Sequence, residues 1–219
     1  MLIDIHTHID DGMYNEDHYR VINSVDFDDF DNILELSKNN EYVFSALGIH
    51  PWYADKLEKD KLEEYVKNNE FAYIGETGLD YGAKACLGQE DVFMFHIELA
   101  NKYNRPVMLH CYNASNQMYE MIKDTVKVPF LLHKYSDDIN LIEKFVELGA
   151  YFSYPSRGLV EQIKKTPMER ILSETDGKMY DVLKSVTYIS ETLGIEFEEV
   201  KKQIWKNSKN LLTLSNFKE

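Results

Sequence analysis

The sequence predicts a TIM-type (β/α)8 barrel. Short β-branched or aromatic runs alternate with longer segments of helical period, the runs number eight, and histidines and carboxylates gather where the runs end. At 219 residues, 44% apolar and 13% aromatic, the chain can bury a sizeable core and fits one large domain, residues 1–219.

The strands are expected at residues 2–7, 20–25, 42–48, 72–76, 107–110, 130–133, 151–154 and 170–175. Between them, residues 29–39, 56–68, 89–103, 115–124 and 139–148 repeat apolar positions at helical spacing with charge on the other side, as outer helices do. Pro106 and Pro129 stand just before two strands, where a missing N–H matters least. Two further helices, near 179–193 and 197–206, follow the last strand and are separated at Gly194. Eight units in this length are lean beside the roughly 250 residues typical of such barrels, so the loops must be short. A seven-stranded or distorted barrel is the alternative, because the second unit, with its acidic stretch 26–31, carries the weakest pattern.

The apolar runs are strand-length, too short to cross a bilayer, and the first residues lack the pattern of a secretory signal. Two cysteines, Cys86 and Cys111, form no disulfide framework, and a cytoplasmic location is expected. A formal net charge of -14 disfavours an extended nucleic-acid surface. It still permits a site that grips one phosphate or one strand end through metal ions, which are large local charges.

Six side chains stand where barrel enzymes keep their chemistry, at the C-terminal ends of strands. His6 and His8 end the first strand two residues apart, on one face, so both can reach one ion. Glu76 closes the fourth, His110 the fifth and His133 the sixth, and Asp176 follows the eighth. Four imidazoles and two carboxylates without a thiolate match zinc, manganese, iron or nickel better than calcium. A bridging carboxylate would let six ligands serve two ions, which can hold a hydroxide between them for in-line displacement. The bland readings are a chance histidine pair, surface or packing roles for His18 and His96, and a buried structural thiol at Cys111.

The ordered set His6-Thr7-His8, Gly48-Ile49-His50-Pro51, Gly75-Glu76-Thr77-Gly78-Leu79-Asp80-Tyr81, Pro106-Val107-Met108-Leu109-His110 and Glu174-Thr175-Asp176 resembles the TatD family of metal-dependent deoxyribonucleases, within the amidohydrolase-type barrels. The likeness spans nearly the whole chain, and the Gly-Glu-Thr-Gly-Leu-Asp-Tyr block is its most specific part. The resemblance implies two divalent ions (Zn, Mn or Mg), with His6, His8 and Asp176 on one, His110 and His133 on the other, and Glu76 between them. It also implies that Asp176 orients or deprotonates the nucleophilic water, that His50 lies beside the substrate phosphate, and that Glu174 supports a ligand.

The chain departs from the family pattern after three of its ligands. It reads Cys111-Tyr112-Asn113-Ala114 where the family commonly has Ser-Arg-Asp-Ala, and Lys134-Tyr135-Ser136-Asp137 where it often has Cys-Phe-Ser-Gly. The basic loop beyond the last Asp shrinks to Gly177-Lys178-Met179-Tyr180. Lys134 and Arg157 are the candidate replacement cations, and Trp52, Tyr81, Tyr112 and Tyr135 could stack a base or pack in the core.

The expected activity is metal-dependent hydrolysis of a small phosphoester or DNA end. The alternatives are a carbonyl hydrolase built on the same site, cleaving an amide, lactone or acyl ester, and a catalytically silent ligand-binding barrel. Barrels of the polymerase-and-histidinol-phosphatase group share the HxH pair but lack the Gly-Glu-Thr-Gly-Leu-Asp block.

Overall fold

A computed structural model describes residues 1–9, 18–177 and 181–212. Eight parallel strands follow one another in order: β1 (Ile3–Thr7), β2 (Tyr19–Asn23), β3 (Val43–Leu47), β4 (Tyr73–Asp80), β5 (Val107–Tyr112), β6 (Phe130–His133), β7 (Ala150–Tyr154) and β8 (Ile171–Ser173). Each pairs with the next in parallel. The outer layer is α1 (Phe27–Asn39), α2 (Lys59–Asn68), α3 (Gln89–Tyr103), α4 (Ser115–Ile122), α5 (Ile142–Glu147), α6 (Val160–Lys165), α7 (Val182–Leu193) and α8 (Phe197–Leu212). This is the expected eight-stranded barrel, and the seven-stranded alternative falls because β2 pairs on both sides, with β1 and with β3.

The strands are buried on both faces, as a parallel sheet under a helical layer requires; every residue of β1, β2, β4 and β7 is buried. The seam between β8 and β1 is closed by side chains and loop backbone. Ser173 Oγ donates to Ile3 O at 2.7 Å, Thr175 donates from its N and its Oγ1 to the Asp4 carboxylate at 3.0 and 2.6 Å, and the Asp176 amide donates to His6 O at 3.0 Å. Those bonds set Asp176 beside the HxH pair, although 170 residues separate them in sequence.

The acidic stretch that weakened the second unit is a helix start. Asp26 caps α1 by accepting from the Asp28 amide at 2.8 Å, and Asp28 and Asp29 occupy the first turn, where negative charge complements the helix dipole. The expected segment 56–68 corresponds to α2, preceded by a 3₁₀ turn at Pro51–Lys56, and the segment 139–148 divides into a 3₁₀ turn at Ile139–Leu141 and α5. Helix α6 was not expected: it has six residues and buries only Ile163, too little for a periodic signal. Of the final pair, α8 runs further than expected, to Leu212, and Asn207 pins it under β8 by donating to Met168 O and Ile171 O, both at 2.8 Å. Lys178, Met179 and Tyr180 of the shortened loop lie outside the described residues.

Two strands are longer than expected. β4 passes Glu76 and continues to Asp80, and β5 passes His110 to Tyr112, the two remaining paired from Thr77↔Leu109 to Asp80↔Tyr112 after a register shift. Glycine makes this approach possible: at Gly78, φ +143°, a Cβ would stand 2.0 Å from His110 O. Gly48 is similarly pressed onto Gly75, where a Cβ would meet the backbone at 2.6 Å. Thr77-Gly78 therefore continues the strand, although its residues suit a turn.

Candidate metal centre

Glu76 lies at the middle of the site, 2% exposed, and its two oxygens face different partners. Oε2 is 3.7 Å from His6 Nε2 and 3.5 Å from His8 Nε2. Oε1 is 2.8 Å from His110 Nδ1, 2.8 Å from His133 Nε2 and 3.4 Å from His50 Nε2. Asp176 joins the first set, its Oδ1 standing 3.2 Å from His6 Nε2 and 3.9 Å from His8 Nε2. All six side chains expected as ligands, with His50, thus converge at one barrel mouth. His133 stands between the two sets, close enough also to group with His6 and Asp176.

Five imidazole nitrogens aimed at one buried carboxylate are a poor hydrogen-bond network and a good cation site. His110 Nδ1 and His133 Nε2 are 3.2 Å apart, and each is 2.8 Å from the same oxygen, so protons on both would repel. The far nitrogens show which lone pairs are offered. His8 Nδ1 donates to Asn23 O at 3.2 Å, leaving Nε2 to face Glu76. His110 Nε2 donates to Asp80 Oδ2 at 3.0 Å, leaving Nδ1. His133 Nδ1 points toward Glu174 Oε2 at 3.7 Å, beyond hydrogen-bond length, while Ser153 Oγ donates to that same oxygen. The donor set, imidazole and carboxylate without thiolate, suits a first-row divalent ion.

His50 differs from the others. Its Nδ1 accepts from the Trp52 amide at 3.1 Å, so its proton sits on Nε2 and points into the site as a donor.

Electrostatics favour charge separation here. Burial pushes the Glu76 carboxyl up, but the surrounding imidazoles, those of His133, His50 and His6 foremost, outweigh it and hold Glu76 well below the usual carboxylate range. Burial likewise opposes ionisation of Asp176, and the His6 hydrogen bond, the His133 and His6 charges and the Lys134 ammonium reverse it.

The site opens into a cleft of about 790 Å³. Lys134 and Arg157 both line it; Lys134 Nζ is 2.7 Å from Asp176 Oδ2. Trp52 and Tyr112 form part of its wall and are 37% and 46% exposed. Tyr81 is exposed beside the neighbouring hollow and hydrogen-bonds Glu90. Tyr135 is a core residue, fully buried, with its hydroxyl on Asp138 O at 2.8 Å, so stacking by it is excluded. His96 is a buried packing histidine, and Cys111 is a buried thiol that burial pushes well up, as expected. Asn23 and Asp80 escaped the sequence reading. Asp80 had a usable signal, because it lies four residues beyond Glu76 in an extended strand and shares its face.

A family profile described as TatD related DNase matches residues 3–213. The chain belongs to this family. It is a TatD-type metal-dependent hydrolase, in a DNase-like family. Among its relatives, an uncharacterized metal-dependent hydrolase of Methanocaldococcus jannaschii is 27% identical, covering 94% of each chain. One from Mycoplasma genitalium is 30% identical over 85% of this chain and 84% of its own. A putative deoxyribonuclease of Enterocytozoon bieneusi is 28% identical over 70% of this chain and 62% of its own. In fold, the crystal structure of the TatD homologue YjjV from Escherichia coli superimposes with a TM-score of 0.86 at 20% identity, covering 97% of this chain and 98% of the other.

Proposed function

We propose that this chain is a two-metal phosphoesterase acting on a small phosphoester or a DNA end, within a single hydrolase domain over residues 1–219. The observation that carries the reading is the division of donors across Glu76, with His6, His8 and Asp176 on the Oε2 side and His110 and His133 on the Oε1 side. Glu76 would bridge two divalent ions of the zinc, manganese or magnesium class, and those six side chains would hold them. When bound, such ions supply Lewis acidity and a water acidic enough to attack at neutral pH.

The remaining steps belong to the protein. Asp176 orients the attacking water and accepts its proton, with Oδ2 held by Lys134. The His50 Nε2–H donates to a phosphoryl or leaving oxygen. Lys134 and Arg157, on the cleft wall, attract the phosphate. Among the described residues the cations lining this cleft are Lys134 and Arg157, and with the net charge of -14 they favour one phosphate over a long strand. The cytoplasm is the proposed compartment, supported by the free thiols Cys86 and Cys111. Among the described residues, no helix is long and apolar enough to cross a membrane.

The test is turnover of phosphomonoesters, a short single-stranded DNA and a panel of carbonyl substrates, with each first-row dication, by the parent and by Glu76→Gln. Metal-stimulated release of phosphate or nucleotides, lost with Glu76→Gln by more than about a hundredfold, is expected. Turnover on the carbonyl panel alone would overturn the phosphoester reading.

A further inference from the structure

We infer that Asp80 is a positioning residue that sets which nitrogen His110 offers to the metal centre. The inference rests on His110 being a ligand, as proposed above. Asp80 is 4% exposed, and donors reach its carboxylate from three directions. Oδ2 accepts from His110 Nε2 at 3.0 Å and from Trp52 Nε1 at 2.7 Å, while Oδ1 accepts from the Gly82 amide at 2.7 Å. Its backbone is fixed as well: Gln89, also buried, accepts from the Asp80 amide at 2.7 Å and donates to its carbonyl at 3.2 Å.

The indole and the amide can only donate, so both Asp80 oxygens must accept. His110 completes the set only by donating from Nε2. The proton is thereby fixed on the far nitrogen, and the Nδ1 lone pair is turned toward Glu76 Oε1, 2.8 Å away. The Gly82 contact alone would be ordinary loop closure on Oδ1. The second oxygen, shared by an imidazole of the centre and the indole of the cleft wall, has no such explanation.

An asparagine cannot replace this carboxylate. If its oxygen meets His110 and Trp52, its NH₂ opposes the Gly82 N–H. If its oxygen meets Gly82, its NH₂ opposes the Trp52 N–H and calls for a lone pair on His110 Nε2, which moves the ring proton onto Nδ1 and blocks ligation. Charge and tautomer change while size does not.

The experiment titrates zinc into the metal-free parent and into Asp80→Asn by calorimetry, alongside long-range ¹H–¹⁵N spectra of the histidines in both zinc-loaded proteins. The parent is expected to show His110 protonated at Nε2 and shifted by zinc at Nδ1, and Asp80→Asn to bind zinc about 10–100-fold more weakly with unchanged secondary structure. Zinc on His110 Nε2 in the parent, or parental zinc affinity in Asp80→Asn, would overturn the inference while leaving the metal centre intact. A parent that binds no zinc would overturn the centre first, and this inference with it. Should the variant fail to fold, the parent spectrum alone decides.

Discussion

His50 and the four candidate ligand histidines look alike in sequence, and hydrogen bonding to the far nitrogen separates His50 from His8 and His110. Where a carbonyl or carboxylate accepts from the far nitrogen, as at His8 and His110, the near one is a lone pair; at His50 the Trp52 amide donates to the far nitrogen, so the near one carries a proton. This difference predicts that His50→Ala keeps its bound metal, measured by elemental analysis, while kcat falls about 10²–10³-fold, the scale for loss of a positioned donor to a developing oxyanion. Loss of metal with the activity would instead make His50 a ligand. Lys134 is held by Asp176 on one side of the same cleft. Lys134→Ala is expected to lower kcat as well as raise KM, because it releases an acid-base group along with a phosphate contact; a change in KM alone would reduce it to an anion contact.

At the scale of elements, the barrel is joined at its weakest edge by the residues that place the chemistry. Asp4 and Thr175 connect β1 to the segment after β8, and Asp176 follows directly. Thr175→Val should cost about 1–3 kcal/mol by urea denaturation, since it takes a donor from a buried carboxylate. His96 is a second fastening: its Nε2 accepts from the Ile49 amide at 3.0 Å and its Nδ1 donates to Val92 O at 2.7 Å, tying α3 to the loop that carries His50. Burial pushes His96 down to about 4 from 6.5. The unfolded chain therefore binds a proton that the native state refuses. The stability present above pH 6.5 is lost as pH falls toward 4, by about 1.4 kcal/mol per unit in that window. The slope should appear as the difference between parent and His96→Leu urea midpoints across that range, because burial raises Asp4 to about 7 and its titration runs in the opposite sense in both proteins. Most strands could be read from the sequence because burial on both faces leaves short runs rich in apolar residues, such as Val43–Leu47 and Phe130–His133. The far ends of β4 and β5 could not, because Thr77-Gly78 has the composition of a turn and its pairing depends on a backbone approach made 32 residues later in the chain. Helix α6, with one buried side chain, left no period to read.

At the scale of the whole molecule, the charge and the site point to the same kind of substrate. A chain of net charge -14 with Lys134 and Arg157 at the cleft can neutralise few phosphates. Binding of a short single strand should therefore fall with salt on a log–log slope of about -1 to -2, where a protein with six to ten phosphate contacts would be several-fold steeper. A steep slope would reveal a polynucleotide surface. The convergence of His6, His8, Glu76, His110, His133 and Asp176 was legible because a barrel brings all its strand ends to one rim. Asn23 was not identified from sequence, because its carbonyl acts on the far nitrogen of His8 across strands and such a hydrogen bond leaves no spacing in a sequence, whereas Asp80 left its four-residue spacing from Glu76. Anomalous diffraction from a crystal grown with manganese or zinc tests the central arrangement most directly. Two peaks about 3.5–4 Å apart, one beside each oxygen of Glu76, are the expected result. A single peak, or peaks away from Glu76, would contradict it.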